Sequence, residues 1–340
     1  MPELMPDQTH ARMSDAKQAL TADPSEMTFD EWLAAVEELG EDRGFFEPLG
    51  PDHSAVFTDE GDCLLVTFES VDDMMVRSED GLPLGFALAD PHGWSQLTLF
   101  SHDQTQRPSW FRHRAIYGFL DRLTDEDFFD RYQKVVFYGS GAAGYAAAAY
   151  SVAAPGATVV ALAPQATQAA LLASWDHRHP KARAMDFSSR YGFAPDMVEA
   201  AQSAFVFFDP LVAEDAMHAA LFARPHVTLK PCRFFGERLE EAFIDMDILG
   251  PLLKAAMDDR LTLPLINKLL RRRKGQTIYH NEMLKSLRQS DRPALVAHLA
   301  RFVLTRRNAP RYRRALQQAR TELSAKGFEP DWLLEDPTRD

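Results

Sequence analysis

The chain is poor in cysteine, with two thiols in 340 residues, Cys63 and Cys232. Two cysteines do not make a disulfide framework. Only Arg233 stands beside Cys232 to lower a thiol pKa, which argues against a reactive cysteine. No apolar run approaches the roughly 20 residues that a membrane span needs. The first 24 residues are polar and mixed in charge, without the apolar segment of a secretion signal. Internal repeats and low-complexity segments are also missing, so repeat architectures are excluded. These absences lead to the expectation of a cytoplasmic protein with no membrane partner.

What is present is ordinary for a globular chain, with 46% apolar and 26% charged residues. A chain of this length can bury a full core. The net charge of −13 is unevenly spread. From Lys254 to Lys326, 18 Lys and Arg face 5 Asp and Glu, so the rest of the chain carries about −26. That opposition favours docking of the basic stretch onto an acidic body, or a basic face for an anionic partner. Arg271-Arg272-Arg273-Lys274 and Arg306-Arg307, Arg311 and Arg313-Arg314 accompany no recognisable nucleic-acid module. Nucleic acid is therefore not the expected partner.

Residues 1–26 are expected to be disordered. Thr28 stands three before Glu31, a capping box, and opens an amphipathic helix for which Gly40 is a plausible stop. Short β-type runs follow at 54–57, 64–68, 85–88 and 96–100. From Trp110 the period lengthens. Helical segments over 111–123 and 125–132 lead to strands at 134–138, 158–162, 204–208 and 226–229, with helices at 144–153 and 214–223. Alternating strands and helices imply a mostly parallel sheet with helices on both faces. After Leu239 only helices are expected, broken near Pro264, Gly275, Asp291-Arg292-Pro293 and Asn308-Ala309-Pro310. The expected domains are a body over 27–245 and a basic helical appendage over 246–330.

One stretch concentrates the functional signal: Lys134-Val135-Val136-Phe137-Tyr138-Gly139-Ser140-Gly141-Ala142-Ala143-Gly144. It reads as strand, glycine turn and small-residue helix. Gly139, Gly141 and Gly144 match the dinucleotide fingerprint G-x-G-x-x-G. That fingerprint expects an acid at the end of the next strand to hold a ribose hydroxyl. Here the strand ends Ala161-Leu162-Ala163-Pro164, with no acid, and the motif sits about 140 residues into the chain.

The same turn, continued as Tyr145-Ala146-Ala147, resembles the nucleophile elbow of a bacterial α/β-hydrolase-like family that reads roughly Y-G-S-S-M-G-G-Y-A-A. The resemblance extends over about residues 55–250. It includes the following strand and Pro164-Gln165, then Phe208-Asp209-Pro210, where the triad acid follows a later strand. It ends at Pro231-Cys232-Arg233-Phe234-Phe235-Gly236-Glu237, where the family has a Gly-His pair. The resemblance implies an α/β-hydrolase-like sheet and the chain order nucleophile, acid, base. Residue by residue, Gly141 occupies the nucleophile position, Ser140 stands one place early, Asp209 is the surviving acid, and Glu237 replaces the histidine. A triad without nucleophile and base loses both its acyl and its proton carrier.

The expectation is therefore a hydrolase fold whose acyl-transfer chemistry is lost or altered. It would bind a protein partner, or an anionic small molecule whose carboxylate, sulfate or phosphate sits at Gly139, Gly141, Ala142 and Gly144, because backbone N–H groups at a helix N-terminus form an anion site. An active hydrolase or acyl transferase using Ser140 with Asp209, and with Glu237 or an unrecognised base, is one alternative. A dinucleotide-dependent oxidoreductase is the other. No cofactor and no metal is expected. Asp176-His177-Arg178-His179 has no third ligand at motif spacing and reads as an exposed loop. Asp215 and His218 read as a local surface pair. His226 reads as a buried, hydrogen-bonded residue. Trp94, Trp110, Phe111, Arg112 and His113 read as core packing before the elbow.

Overall fold

The computed structural model describes residues 27–77, 81–102 and 110–334. The segment expected to be disordered, 1–26, lies outside the described residues. Eight strands form one sheet: β1 (Gly44–Pro48), β2 (His53–Thr58), β3 (Cys63–Ser70), β4 (Ser95–Ser101), β5 (Lys134–Ser140), β6 (Thr158–Leu162), β7 (Ser203–Phe208) and β8 (Val227–Pro231). Their order is β1-β2-β4-β3-β5-β6-β7-β8. Only β2 runs against the rest, pairing antiparallel with β1 and β4. The remaining pairs are parallel. This is an α/β-hydrolase-like sheet.

The helices used below are α1 (Phe29–Arg43), α2 (Leu84–Ala89), α3 (Arg114–Asp125), α4 (Gly141–Tyr150), α5 (Ala213–Leu221), α6 (Leu249–Met257), α7 (Thr277–Gln289), α8 (Pro293–Leu304) and α9 (Pro310–Ala325). Period-two alternation sends strand side chains to two cores. Ala55, Phe57, Leu97, Leu99, Val135 and Phe137 join the core that holds α3 and α4. Val56 and Phe100 face the other way, into a core with Trp32, Val36 and Leu39 of α1. The central strands are buried on both faces, as parallel strands between helix layers must be.

Three local expectations are corrected. The helix α1 does not stop at Gly40 but runs to Arg43, with the Thr28–Glu31 capping box in place. Gly40 is buried in it, and a Cβ there would lie 2.9 Å from the Phe45 carbonyl oxygen. The run 85–88 is not a strand but lies within α2. A Cβ on Gly85 would come 2.6 Å from the Thr98 hydroxyl, so glycine lets this helix sit directly on the sheet. Glu69 accepts from the Leu84 and Gly85 amides and caps it. A four-residue apolar run carries too few positions to separate the two periods. Segment 125–132 gives one short 3₁₀ turn, Phe129–Arg131, instead of a helix.

The chain forms two compact units. The first holds the sheet through Pro231 and also Leu249–Leu261. Helix α6, past the border expected near residue 245, packs with β5 and β6 in this unit. Lys134 at the start of β5 reaches Gln202 Oε1 at 2.9 Å.

The second unit, Cys232–Ile248 and Thr262 onward, is helical. Its core contains Leu284, Val296, Ala300, Val303, Leu316 and Ala319, supplied by α7, α8 and α9. Several of its arginines serve its own architecture. Arg272 donates to the Met246 carbonyl at 2.9 Å, and the Arg306 guanidinium stacks 3.6 Å from the centre of the Phe302 ring. Among the described residues no helix is long and apolar enough to cross a membrane.

Candidate functional site

Strand order locates the site. From β3 the chain moves to one side, to β4, and from β5 it moves to the other, to β6. The connections leaving adjacent β3 and β5 therefore diverge. In open α/β sheets the crevice outside the carboxyl ends of two such strands is the usual ligand position. The glycine turn lies there, at the end of β5.

Ser140 is the last strand residue, with extended φ −127° and ψ 142°, and is paired in register with Leu162 of β6. The apex of the turn is Gly141, the first residue of α4, with φ +60°. This left-handed conformation favours glycine. A Cβ on Gly141 would meet nothing within 4 Å, so the apex opens onto free space. Gly139 is the opposite case. Its Cβ would lie 2.3 Å from the Ala143 carbonyl oxygen and 2.9 Å from the Gly144 nitrogen. Gly144 sits tightly on the β6 loop, with a Cβ position 3.1 Å from Pro164 Cβ. The three glycines thus differ in what they permit. Gly139 admits the helix backbone, Gly141 makes the sharp turn, and Gly144 seats the loop.

The start of α4 is electrostatically open. Its first turn contains no acidic residue, and the Ser140 side chain makes no capping hydrogen bond. Uncapped N–H groups with the positive end of the helix dipole favour an anion. Ala142 is buried and Ser140 half-buried. Among the described residues no side chain hydrogen-bonds the Ser140 hydroxyl.

Asp209 follows β7 and is 1% exposed. Its carboxylate accepts from the Leu211 amide at 2.9 Å, within its own turn. Ser140, Leu162 and Phe207 share a row across β5, β6 and β7. The elbow and Asp209 therefore lie at the same sheet edge, two strands or roughly 10 Å apart. Glu237 lies beyond β8 in the second unit, on an exposed stretch. Gly139, Ser140, Gly141, Ala142 and Gly144 are thus brought together and Asp209 placed at the same edge, while Glu237 belongs to a separate body. The strand before the dinucleotide acid position, β6, ends at Leu162 and is followed by Ala163-Pro164-Gln165, without an acid.

A buried ionic network stands beside the turn. Gln165 N–H faces the Gly141 carbonyl at 3.4 Å. The next amide, Ala166 N–H, donates to His218 Nδ1 at 3.1 Å. His218 Nε2 lies 2.9 Å from Asp176 Oδ2. Arg178 bridges Asp176, at 2.9 Å, and Asp215, at 2.7 Å. Asp176, Asp215 and His218 are fully buried. Burial is the largest influence on His218 and pushes its imidazole down to about 4. The ring is neutral, with Nδ1 accepting and Nε2–H donating, so both nitrogens are engaged and neither is a spare base. Burial alone would raise Asp176, but the Arg178 and His218 hydrogen bonds overcome it and hold the carboxyl far below its usual range.

This network corrects two expectations: the Asp176 loop is not simply exposed, and Asp215 with His218 is not a surface pair. The signal was in α5. Asp215, His218, Ala219 and Phe222 recur at one helical face, and Phe222 at 0% exposure marks it as the inward one. His226 is half-buried and lies 2.8 Å from the Val198 carbonyl through Nε2. Trp110 and Phe111 are core residues. Arg112 clamps the loop 186–190 by donating to the Asp186 and Arg190 carbonyls and to the Tyr145 hydroxyl of α4. Among the described residues no three His, Cys, Asp or Glu side chains converge on one point.

No protein-family model matches the chain, and no curated protein does. Solved structures resemble it in part. An esterase from the archaeon Pyrobaculum calidifontis is 14% identical over 77% of this chain and all of its own, with a TM-score of 0.39. Carboxyl esterase 2 of the fungus Tuber melanosporum is 12% identical over 62% of this chain and 83% of its own, with a TM-score of 0.40. A glycosylation-associated Gap123 complex of Streptococcus agalactiae is 10% identical over 62% of this chain and 45% of its own, with a TM-score of 0.42. At such scores these likenesses say nothing of activity.

Proposed function

We propose that this chain is a hydrolase-shaped binding protein that holds the anionic group of a small molecule at the turn from β5 to α4. The carrying observation is Gly141: it stands at the apex of the turn, where a nucleophile would be needed, and the space around its missing Cβ is open. The neighbouring features agree with this reading. The first turn of α4 has no acid and no side-chain cap, and the turn occupies the crevice set by strand order. A carboxylate, sulfate or phosphate would accept from the N–H groups following Gly141. Triad acyl transfer is not part of this reading, because Gly141 has no side chain and both His218 nitrogens are engaged.

The test is calorimetric titration of the full chain with a panel of acetate, sulfate, phosphate and larger carboxylic and phosphoric esters. At least one should bind saturably, and Gly141→Ser, which fills the apex, should weaken it by about tenfold or more. Unchanged affinity of Gly141→Ser for every ligand would defeat the reading. A chromogenic-ester assay serves as the enzymatic control: turnover that disappears in Ser140→Ala would restore the hydrolase alternative.

A further inference from the structure

The second unit contains a cavity of about 220 Å³ where the corner between α7 and α8 meets α9. Its floor is apolar, formed by Leu287, Pro293, Val296, Ala315 and Ala319. Its rim is charged, and the charges are not equally engaged. Glu322 already accepts from the Gln318 amide at 2.9 Å. Asp291 lies 3.6 Å from Lys326. The guanidiniums of Arg288 and Arg292 have no ion pair or hydrogen bond among the described residues, although both line the cavity. With Lys326, the corner sets three cations against the carboxylates of Asp291 and Glu322, and the two guanidiniums have no ion-pair partner of their own among the described residues.

The backbone adds to the same sign. Arg292 precedes α8, whose first turn carries no acidic residue and whose N-terminus has no side-chain cap. The 12-residue helix presents its positive end at the mouth of the cavity. A guanidinium matches a carboxylate in shape as well as charge. The volume is below that of drug-sized pockets and suits a ligand of about eight to ten non-hydrogen atoms.

We propose that this cavity binds a small aliphatic monocarboxylate. Its carboxylate is gripped by Arg288 and Arg292, and its chain lies on Val296, Ala315 and Ala319. The site belongs wholly to the helical unit and does not depend on the glycine turn.

The probe is 4-methylpentanoate, with the isosteric neutral 4-methylpentanamide as its control, titrated into the full chain by calorimetry or ligand-observed NMR. The acid should bind one per chain with a dissociation constant of about 1 mM or tighter, and the amide about tenfold more weakly. The double variant R288Q/R292Q alters two exposed side chains. It should melt as the wild type does and lose the preference for acid over amide, whereas Gly141→Ser should keep it. Four results would overturn the proposal: no binding of the acid up to about 10 mM, equal binding of acid and amide, an unchanged preference in R288Q/R292Q, or loss of acid binding in Gly141→Ser.

Discussion

Replacing Gly139 and Gly141 separately by alanine probes the turn most directly, because the two methyl groups meet opposite surroundings. At Gly139 the new Cβ would lie 2.3 Å from the Ala143 oxygen, 2.5 Å from its carbonyl carbon and 2.9 Å from the Gly144 nitrogen. All three are backbone atoms of the first turn of α4, so no side chain can rotate away. Relief requires α4 to move, and α4 carries the fully buried Tyr145 and Tyr150. Overpacking against rigid atoms costs about 3 kcal/mol or more. At Gly141 the methyl meets nothing, and only the backbone at φ +60° opposes it. That strain is about 1–2 kcal/mol.

For a domain of this size, 1 kcal/mol corresponds to roughly 2–4 °C in melting temperature. Gly141→Ala should therefore melt roughly 2–8 °C below the wild type. Gly139→Ala should fall by at least roughly 6 °C or fail to fold. Thermal and urea unfolding followed by near-ultraviolet circular dichroism measures both. Equal losses, or a larger loss for Gly141→Ala, would show that the apex is not at 141 and would remove the geometric basis for an elbow.

Two further predictions concern the buried network. His218 stays neutral in the folded chain down to about 4, while in the unfolded chain it takes up a proton near 6.5. As pH falls, the unfolded state gains this proton first. The stability it contributes is complete above about 6.5 and is lost toward 4 at up to about 1.4 kcal/mol per pH unit. Urea midpoints measured across that window should fall more steeply for the wild type than for His218→Gln, and parallel slopes would contradict the assignment. Arg178→Gln leaves Asp176 and Asp215, both fully buried, without their shared cation. It should destabilise by about 3 kcal/mol, and a loss below about 1 kcal/mol in the same assay would show that the network is not held by charge.

Much of the fold is legible in the chain because local patterns carry it. The apolar runs of β5, β6 and β7 are strands wherever they sit, since both faces are covered. The Thr28–Glu31 box marks the start of α1 in four residues. The strand β1, Gly44–Pro48, carries no such mark, because it is half-exposed along most of its length and draws its identity from pairing with β2. At the site, the glycine spacing was legible and so was the displacement of serine from the apex. The Arg178 bridge was not, since Asp176 and Asp215 stand 39 positions apart in sequence and are joined through Arg178 only once the chain has folded.

The sequence by itself determined the strand–glycine–helix turn, because Gly141 takes a left-handed conformation that favours glycine, and Gly139 and Gly144 admit backbone too close for a Cβ. It also determined that Gly141, with Ser140 one place before it, stands at the turn, and that residues 232–237 after β8 hold no histidine. Tertiary structure alone decided which polar residues are buried. Asp176, Asp215 and His218 look solvent-bound by composition, yet packing removes them from water and hydrogen bonding makes that burial tolerable. It also decided where the turn opens. Strand order makes the end of β5 the point where the connections diverge, and that order comes from pairing between strands distant in sequence, which no local pattern encodes.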